Sequence, residues 1–309
     1  MLIEEVLKAL ALRPAGLYVD ATFGRGGHSA RILAALGSTG QLVAIDRDPA
    51  AIAAGRARFA QEPRVQLVHG EFAELATLVR AQTTRTRCEG VLFDFGVASP
   101  QFDDAARGFS FSKDGPLDMR MDPTHGQPVS VWLAQAHGDE IRHVIASLGE
   151  ERFAARIAAA IVRERALRPL TRTRELAALV TRCVGTYEPG QHSATRTFQA
   201  LRMYINDELG QIERGLTQAL ELLAPGGRLA AISFHSLEDR LIKEFIRRHS
   251  EPDPALAHLP VLPPQAQPTM RRIGSKQRPT EHEIAANPRA RSARLRAVER
   301  LTVCESTAP

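Results

Sequence analysis

Apolar and polar positions in the first hundred residues alternate between two rhythms. Short apolar runs at 16–22, 41–46, 65–69 and 90–95 have the length of buried strands, and the stretches between them, 27–36, 49–61 and 72–80, repeat their apolar residues at helical spacing. Strand, short loop and helix, three times over, is the pattern of a parallel sheet with crossover helices. The rhythm stops after Asp103. Residues 107–128 are rich in Gly, Pro, Asp and Met, and from Val129 through Val184 the pattern is almost purely helical. A later helix over 197–223 leads through Pro225-Gly226-Gly227 into a strand over 228–234, where the sheet resumes. The first half alone leaves that sheet incomplete. One doubly wound α/β domain interrupted by a helical insertion therefore explains the order better than two tandem domains. The expected boundaries are 1–104 for the first part of the sheet domain, 105–200 for the insertion and 201–309 for the second part. Residues 251–268 are Pro-rich and read as a loop, and the chain shows no internal repeat.

With 309 residues, 44% of them hydrophobic, the chain can bury a full core, which sets global disorder aside. Cys88, Cys183 and Cys304 are too few and too scattered for a disulfide framework or a thiolate zinc site, and a reducing compartment fits them best. Residues 1–12 carry Glu4 and Glu5 and lack the basic start and long apolar stretch of a signal peptide; no segment reads as a membrane span. These features point to the cytoplasm. The net charge of +5 is a mild sign of a polyanionic partner. It is concentrated at the end of the chain: residues 270–300 hold nine Arg and Lys against three acids.

Candidate chemistry begins at Asp20-Ala21-Thr22-Phe23-Gly24-Arg25-Gly26-Gly27-His28, which joins the first strand to a helix. Glycines let a ligand approach the backbone, and a helix N-terminus offers unpaired amides. The dinucleotide fingerprint is incomplete, because Ser29 stands where its third glycine would be. Asp46, at the end of the second strand, is placed to accept ribose hydroxyls; the plainer reading is that Asp46 or Asp48 caps the next helix, a role that suits Asp48 before Pro49. Asp94 ends the fourth strand and faces the same crevice, unless it is a capping residue. Phe72 stands where an adenine ring could lie against it, or it packs in the core. Together these positions fit an adenosine-type cofactor without separating a nicotinamide dinucleotide from S-adenosylmethionine.

Longer strings narrow the choice. Phe23 to His28, Asp94 to Gln101 with Arg107-Gly108-Phe109-Ser110-Phe111, Gly115-Pro116-Leu117-Asp118-Met119-Arg120-Met121-Asp122, and Ile232 to Arg240 resemble the bacterial small-subunit (16S) rRNA cytosine-N4 methyltransferase family, the MraW-like enzymes. The strings Ala194 to Arg202 and Asn287 to Ser292 extend the likeness almost to the C-terminus. The resemblance implies a doubly wound, Rossmann-like class I methyltransferase sheet with an inserted all-helical domain. It also implies S-adenosylmethionine as cofactor, held at Gly26, Gly27, His28, Asp46, Phe72, Asp94 and Gln101, and transfer of its methyl group to the N4 amine of a cytosine in the decoding centre of 16S rRNA. The partner would be the small ribosomal subunit or its precursor, with a homodimer left open. Departures are small: Phe95 and Ala98 stand where Leu and Ser are more usual, and Ser193 where Pro is. The chain starts at Met1-Leu2 without the short leader containing histidine and proline, which bears on local substrate contacts.

In such a reaction Asp94 is the candidate for shaping the chemistry, with Asp118, His235 and Ser236 as substrate partners from other segments. The Asp/Asn-Pro-Pro-aromatic tetrad of many amine methyltransferases is absent, and Ser99-Pro100-Gln101 occupies its place. A base in structured RNA must be unstacked before its amine is reached, a task that falls to the inserted domain. Arg289, Arg291 and Arg294 sit close together in sequence and suit RNA phosphates; the plainer reading is a solvated tail. Two other classes remain: a nicotinamide-dependent oxidoreductase, for which no hydride-transfer residues stand out, and a non-catalytic RNA-binding assembly factor, for which the basic segment would suffice. The ten histidines show no H-E-x-x-H motif and no Cys/His cluster, so no metal is expected.

Overall fold

The computed structural model describes residues 1–185, 192–253, 255–256, 262–263 and 266–302. Cys304 and part of the Pro-rich 251–268 stretch lie outside them. From the N-terminus run α1 (Ile3–Leu10), β1 (Leu17–Asp20), α2 (Gly27–Ala35), β2 (Gln41–Asp46), α3 (Pro49–Arg58), β3 (Val65–His69), α4 (Leu75–Gln82) and β4 (Cys88–Asp94). Among the described residues six α-helices follow: α5 (Ser99–Asp103), α6 (Val129–Gln135), α7 (Gly138–Gly149), α8 (Ala154–Leu167), α9 (Thr173–Val184) and α10 (Thr195–Ile205). The chain then continues through α11 (Glu208–Leu222), β5 (Leu223–Ser233), α12 (Ser236–Ser250), β6 (Met270–Arg272), α13 (Glu281–Ala286) and β7 (Arg294–Arg300).

Two compact units result, Met1–Gly96 with Leu209–Pro309, and Val97–Glu208. The helical unit thus starts before the expected residue 105 and ends after residue 200. In the first unit the described strands form one sheet in the order β3-β2-β1-β4-β5-β7-β6, parallel as far as β5, with β7 antiparallel to both neighbours. Strands buried on both faces must be apolar on both, and β1 and β4 are nearly so. One face packs Tyr18, Leu42, Leu92 and Leu295 against α1 and α2; the other packs Val19, Val91, Phe93 and Val298 against α4, α11 and α12. Asp48 caps α3 as expected, accepting the Ala50 N–H at 3.0 Å with Pro49 in the first turn.

One expectation fails, and so does one of the alternatives weighed against another. The helix read over 197–223 is broken at Asn206-Asp207, because the Asn206 side chain binds the Met121 N–H and the Met119 carbonyl, both at 2.7 Å, and Asp207 turns to φ 47°. The basic segment is not a solvated tail: β6 and β7 complete the sheet, and charged residues on β7 hid its period-2 pattern. In the helical unit, Trp132, Ile141, Ile145, Ile157, Ile161, Leu176, Val180 and Leu201 form a separate core.

Candidate active site

Three parallel strands end in aspartate, and alternation decides where those side chains go. Residues two apart share a strand face. Asp20 follows Tyr18, Asp46 follows Ala44 and Asp94 follows Leu92, so all three turn toward the α1–α2 face. β1 is also where the strand order reverses, the point at which open α/β sheets form their ligand crevice.

Asp20 was not singled out from the sequence, although it opens the glycine loop. It is 1% exposed; its Oδ2 accepts from the Ser29 hydroxyl at 2.6 Å and its Oδ1 from the Thr22 N–H at 3.2 Å. The Thr22 hydroxyl oxygen accepts the Asp94 N–H at 2.6 Å, which ties the loop to β4. Asp46 accepts the Gly24 N–H at 2.7 Å and the Asp48 N–H at 2.8 Å, one on each oxygen, and each oxygen retains a further lone pair. Within the loop Gly26 adopts φ +67°, and a Cβ there would stand 2.6 Å from the Phe23 ring. A Cβ at Gly27 would meet nothing within 4 Å, so the space beside it is open. The His28 ring bridges the Met1 carbonyl, 2.9 Å from Nε2, and Asp94 Oδ2, 3.5 Å from Nδ1. Asp94 Oδ1 is buried and has no hydrogen-bond partner among the described residues.

Burial raises the Asp46 and Asp94 carboxyls from 3.8 to about 6, opposed at Asp46 by the Asp48 and Gly24 N–H groups and at Asp94 by His28. Asp20 shifts the same way for the same reason, and its charge pushes both others further up. A row of three carboxyls, with Asp20 repelling both others, beside an open glycine loop favours a cation with hydroxyl groups and disfavours an anionic ligand. Phe72 meets the core-packing role considered for it: half-buried, its ring lies 5.6 Å from those of Phe93 and Phe95.

The other sequence-derived positions are more committed. His235 caps α12, with Nδ1 accepting the Glu238 N–H at 3.4 Å, while Ser236 is exposed in the first turn. Arg289 and Arg291 are exposed in the short turn Pro288–Ser292. Arg294, grouped with them by sequence, lies on β7 and donates to Asp239 Oδ2 at 3.0 Å; Arg296 grips both oxygens of the same carboxylate at 2.8 and 3.1 Å. In the helical unit, Gln101 is buried and its Oε1 accepts the Ala98 N–H at 3.1 Å. Asp118 is occupied by its neighbour, both oxygens accepting from the Arg120 guanidinium at 2.8 Å.

A family model described as the MraW methylase family matches residues 1–301. A ribosomal RNA small subunit methyltransferase H from Coxiella burnetii (strain RSA 331 / Henzerling II) is 51% identical over 302 residues, 98% of this chain and 98% of that protein. The protein of the same name from strain RSA 493 / Nine Mile phase I matches at 51% over 302 residues, again 98% of each. Among solved structures, an rRNA methylase from Streptococcus thermophilus covers 97% of this chain and 94% of its own at 11% identity and a TM-score of 0.43, a distant likeness.

Proposed function

The chain belongs to the MraW methylase family, and on that premise we propose that it methylates the N4 amine of a cytosine in the decoding centre of 16S rRNA. It is an S-adenosylmethionine-dependent methyltransferase of small-subunit rRNA. The observation that carries the cofactor reading is the row of strand-end carboxyls, Asp20, Asp46 and Asp94, beside the glycine loop. A pyrophosphate would meet that row as a like charge, whereas a sulfonium and an ammonium meet it as opposite ones. This weighs against the nicotinamide alternative. An intact donor site would also have no purpose in a purely RNA-binding factor.

When bound, S-adenosylmethionine would supply a methyl group on positively charged sulfur, which leaves as a neutral thioether as the nitrogen attacks in line, the amine giving up one proton to water. The loop at Gly26 and Gly27 admits the ligand to the backbone, and the remaining lone pairs of Asp46 suit the ribose hydroxyls. The exposed side of Phe72 suits the adenine, and His28 orients Asp94. The cytosine amine is a poor nucleophile because its lone pair is delocalised into the ring. An acceptor that holds one of its hydrogens favours the pyramidal, reactive form, and Asp94 Oδ1 is the buried oxygen with capacity to do so. Positioning of the two partners supplies much of the remaining rate.

The substrate in this reading is rRNA within the small subunit or its precursor, methylated in the cytoplasm. No helix among the described residues is long and apolar enough to cross a membrane. Incubation with tritiated S-adenosylmethionine and small ribosomal subunits, followed by digestion and mass spectrometry, should yield labelled N4-methylcytidine. Label on another nucleoside would refute the N4 assignment, and absence of label would refute the activity. Sizing chromatography of the pure chain separates monomer from homodimer.

A further inference from the structure

We infer that Gln211 and Glu71 are positioning residues for the adenosine half of the cofactor, an inference that rests on the proposed roles of Asp46 and Phe72. Gln211, Gly215 and Gln218 lie at i, i+4 and i+7 on α11 and so share one helix face. That face lies along the connection from β3 to α4. Gln211 is 4% exposed, and its Oε1 accepts the Ala73 N–H at 3.3 Å while its Nε2 donates to Glu71 Oε2. One side chain therefore bonds the residue before and the residue after Phe72. One turn along, a Cβ at Gly215 would stand 2.7 Å from Phe72 Cδ2 and 3.2 Å from its carbonyl oxygen, so the helix backbone closes directly on the ring. Gln218 Oε1 extends the contact by accepting the Ala76 N–H at 2.8 Å.

Glu71 carries the brace to the neighbouring strand end. Its Oε1 accepts from Arg47 Nη2 at 2.8 Å, and Arg47 immediately follows Asp46. His69 Nε2 donates to the Arg47 carbonyl at 3.0 Å, joining the same two loops a second time. The run Asp46, Arg47, Glu71, Gln211 thus fixes the ribose acceptor at the end of β2 against the aromatic wall at the end of β3. A buried amide bonded at both its oxygen and its nitrogen is costly to break, and a preformed gap between two ligand-holding groups spares the binding step their ordering. None of these side chains is needed for the methyl transfer itself, so their loss should act on affinity.

The test uses the full chain carrying Gln211→Ala, Glu71→Gln, Gln211→Glu, or Gln211→Glu with Glu71→Gln. Binding of S-adenosylmethionine and of 5′-methylthioadenosine is measured by calorimetric titration, and ligand-free melting is followed in parallel. Gln211→Ala should weaken both ligands about three- to tenfold, as loss of one or two hydrogen bonds predicts. It should raise the KM for S-adenosylmethionine more than it lowers kcat. Gln211→Glu sets like charges together and should bind more weakly still; adding Glu71→Gln restores donor and acceptor with roles reversed and should bring both affinities back to within about twofold of the parent. Parent-like affinities in folded Gln211→Ala and Glu71→Gln overturn the inference, as does a fall in melting temperature with unchanged affinity. If Gln211→Ala fails to fold, Glu71→Gln and the exchanged pair decide on the same criteria. A parent chain that binds neither ligand refutes the cofactor reading itself.

Discussion

At the loop between β1 and α2, buried Asp20 and half-buried Asp46 and Asp94 gather three carboxyls, and one oxygen, Asp94 Oδ1, has no partner among the described residues. Along β7 the cations are matched: Arg294 and Arg296 converge on Asp239, and Arg300 Nη1 donates to the Leu220 and Leu223 carbonyls at 2.6 and 2.7 Å, closing the C-terminal end of α11. The difference separates a site from a joint. Where a fold completes every pairing, the charges hold elements together; where it buries charge and leaves pairing incomplete, something from outside is required. Arg289 and Arg291, exposed just before β7, keep their RNA reading as a proposal.

The sharpest way to break this comparison is Asp94→Asn, which keeps the size and removes the charge. Single-turnover methylation at saturating cofactor should slow about a hundredfold, comparable to loss of one preorganised electrostatic contact, while RNA affinity holds. An undiminished rate would remove Asp94 from the chemistry. Next in size is Asp46→Ala, expected to weaken S-adenosylmethionine about ten- to hundredfold through lost charge-assisted bonds of roughly 1.5–3 kcal/mol. Because Asp46 also holds the Gly24 N–H, Asp46→Asn should fall between parent and Ala in calorimetry; equal affinities for all three would contradict the assignment.

On the other side of the comparison, Arg296→Gln should destabilise the fold by roughly 1–2 kcal/mol, since it breaks a charge-assisted pair on a nearly buried carboxylate. It should leave the salt dependence of RNA binding unchanged. Arg289→Gln with Arg291→Gln should do the reverse, lowering the salt slope by roughly two units without moving the melting temperature. An unaltered slope in that pair would place the substrate elsewhere.

The smallest change in cofactor affinity is with pH. Asp46 and Asp94 titrate near 6 in the folded chain against 3.8 when unperturbed. Between those values the folded state binds more protons, so the ligand-free protein should lose stability as pH rises across that window, with the loss complete above about 6. Affinity for S-adenosylmethionine relative to its neutral thioether product should rise several-fold over the upper part of the same range. A ratio flat with pH would mean that the carboxyls do not sense the sulfonium.

Much of this architecture follows from local chain chemistry. The three βα units, the interruption by helices and the return of the sheet at β5 are visible because apolar spacing and glycine-containing turns act over a few residues. So are the glycine loop, Asp46 and Asp94, since a residue at the end of a parallel strand opens on the crevice whatever the rest of the chain does. Arg294 shows the limit. It stands just past a string that resembles the family, yet its pairing with Asp239, 55 positions away, depends on which residues the backbone brings together. The same holds for the break at Asn206, made by bonds to residues 85 and 87 positions away, and for Gln211, whose partners lie 138 and 140 positions earlier. The sequence by itself determined the five parallel strands, the insertion and two of the acids that end those strands, Asp46 and Asp94, because periodicity and strand ends are local. Only the tertiary structure decided which distant charges are satisfied, because pairs such as Arg294 with Asp239 join residues far apart in the chain.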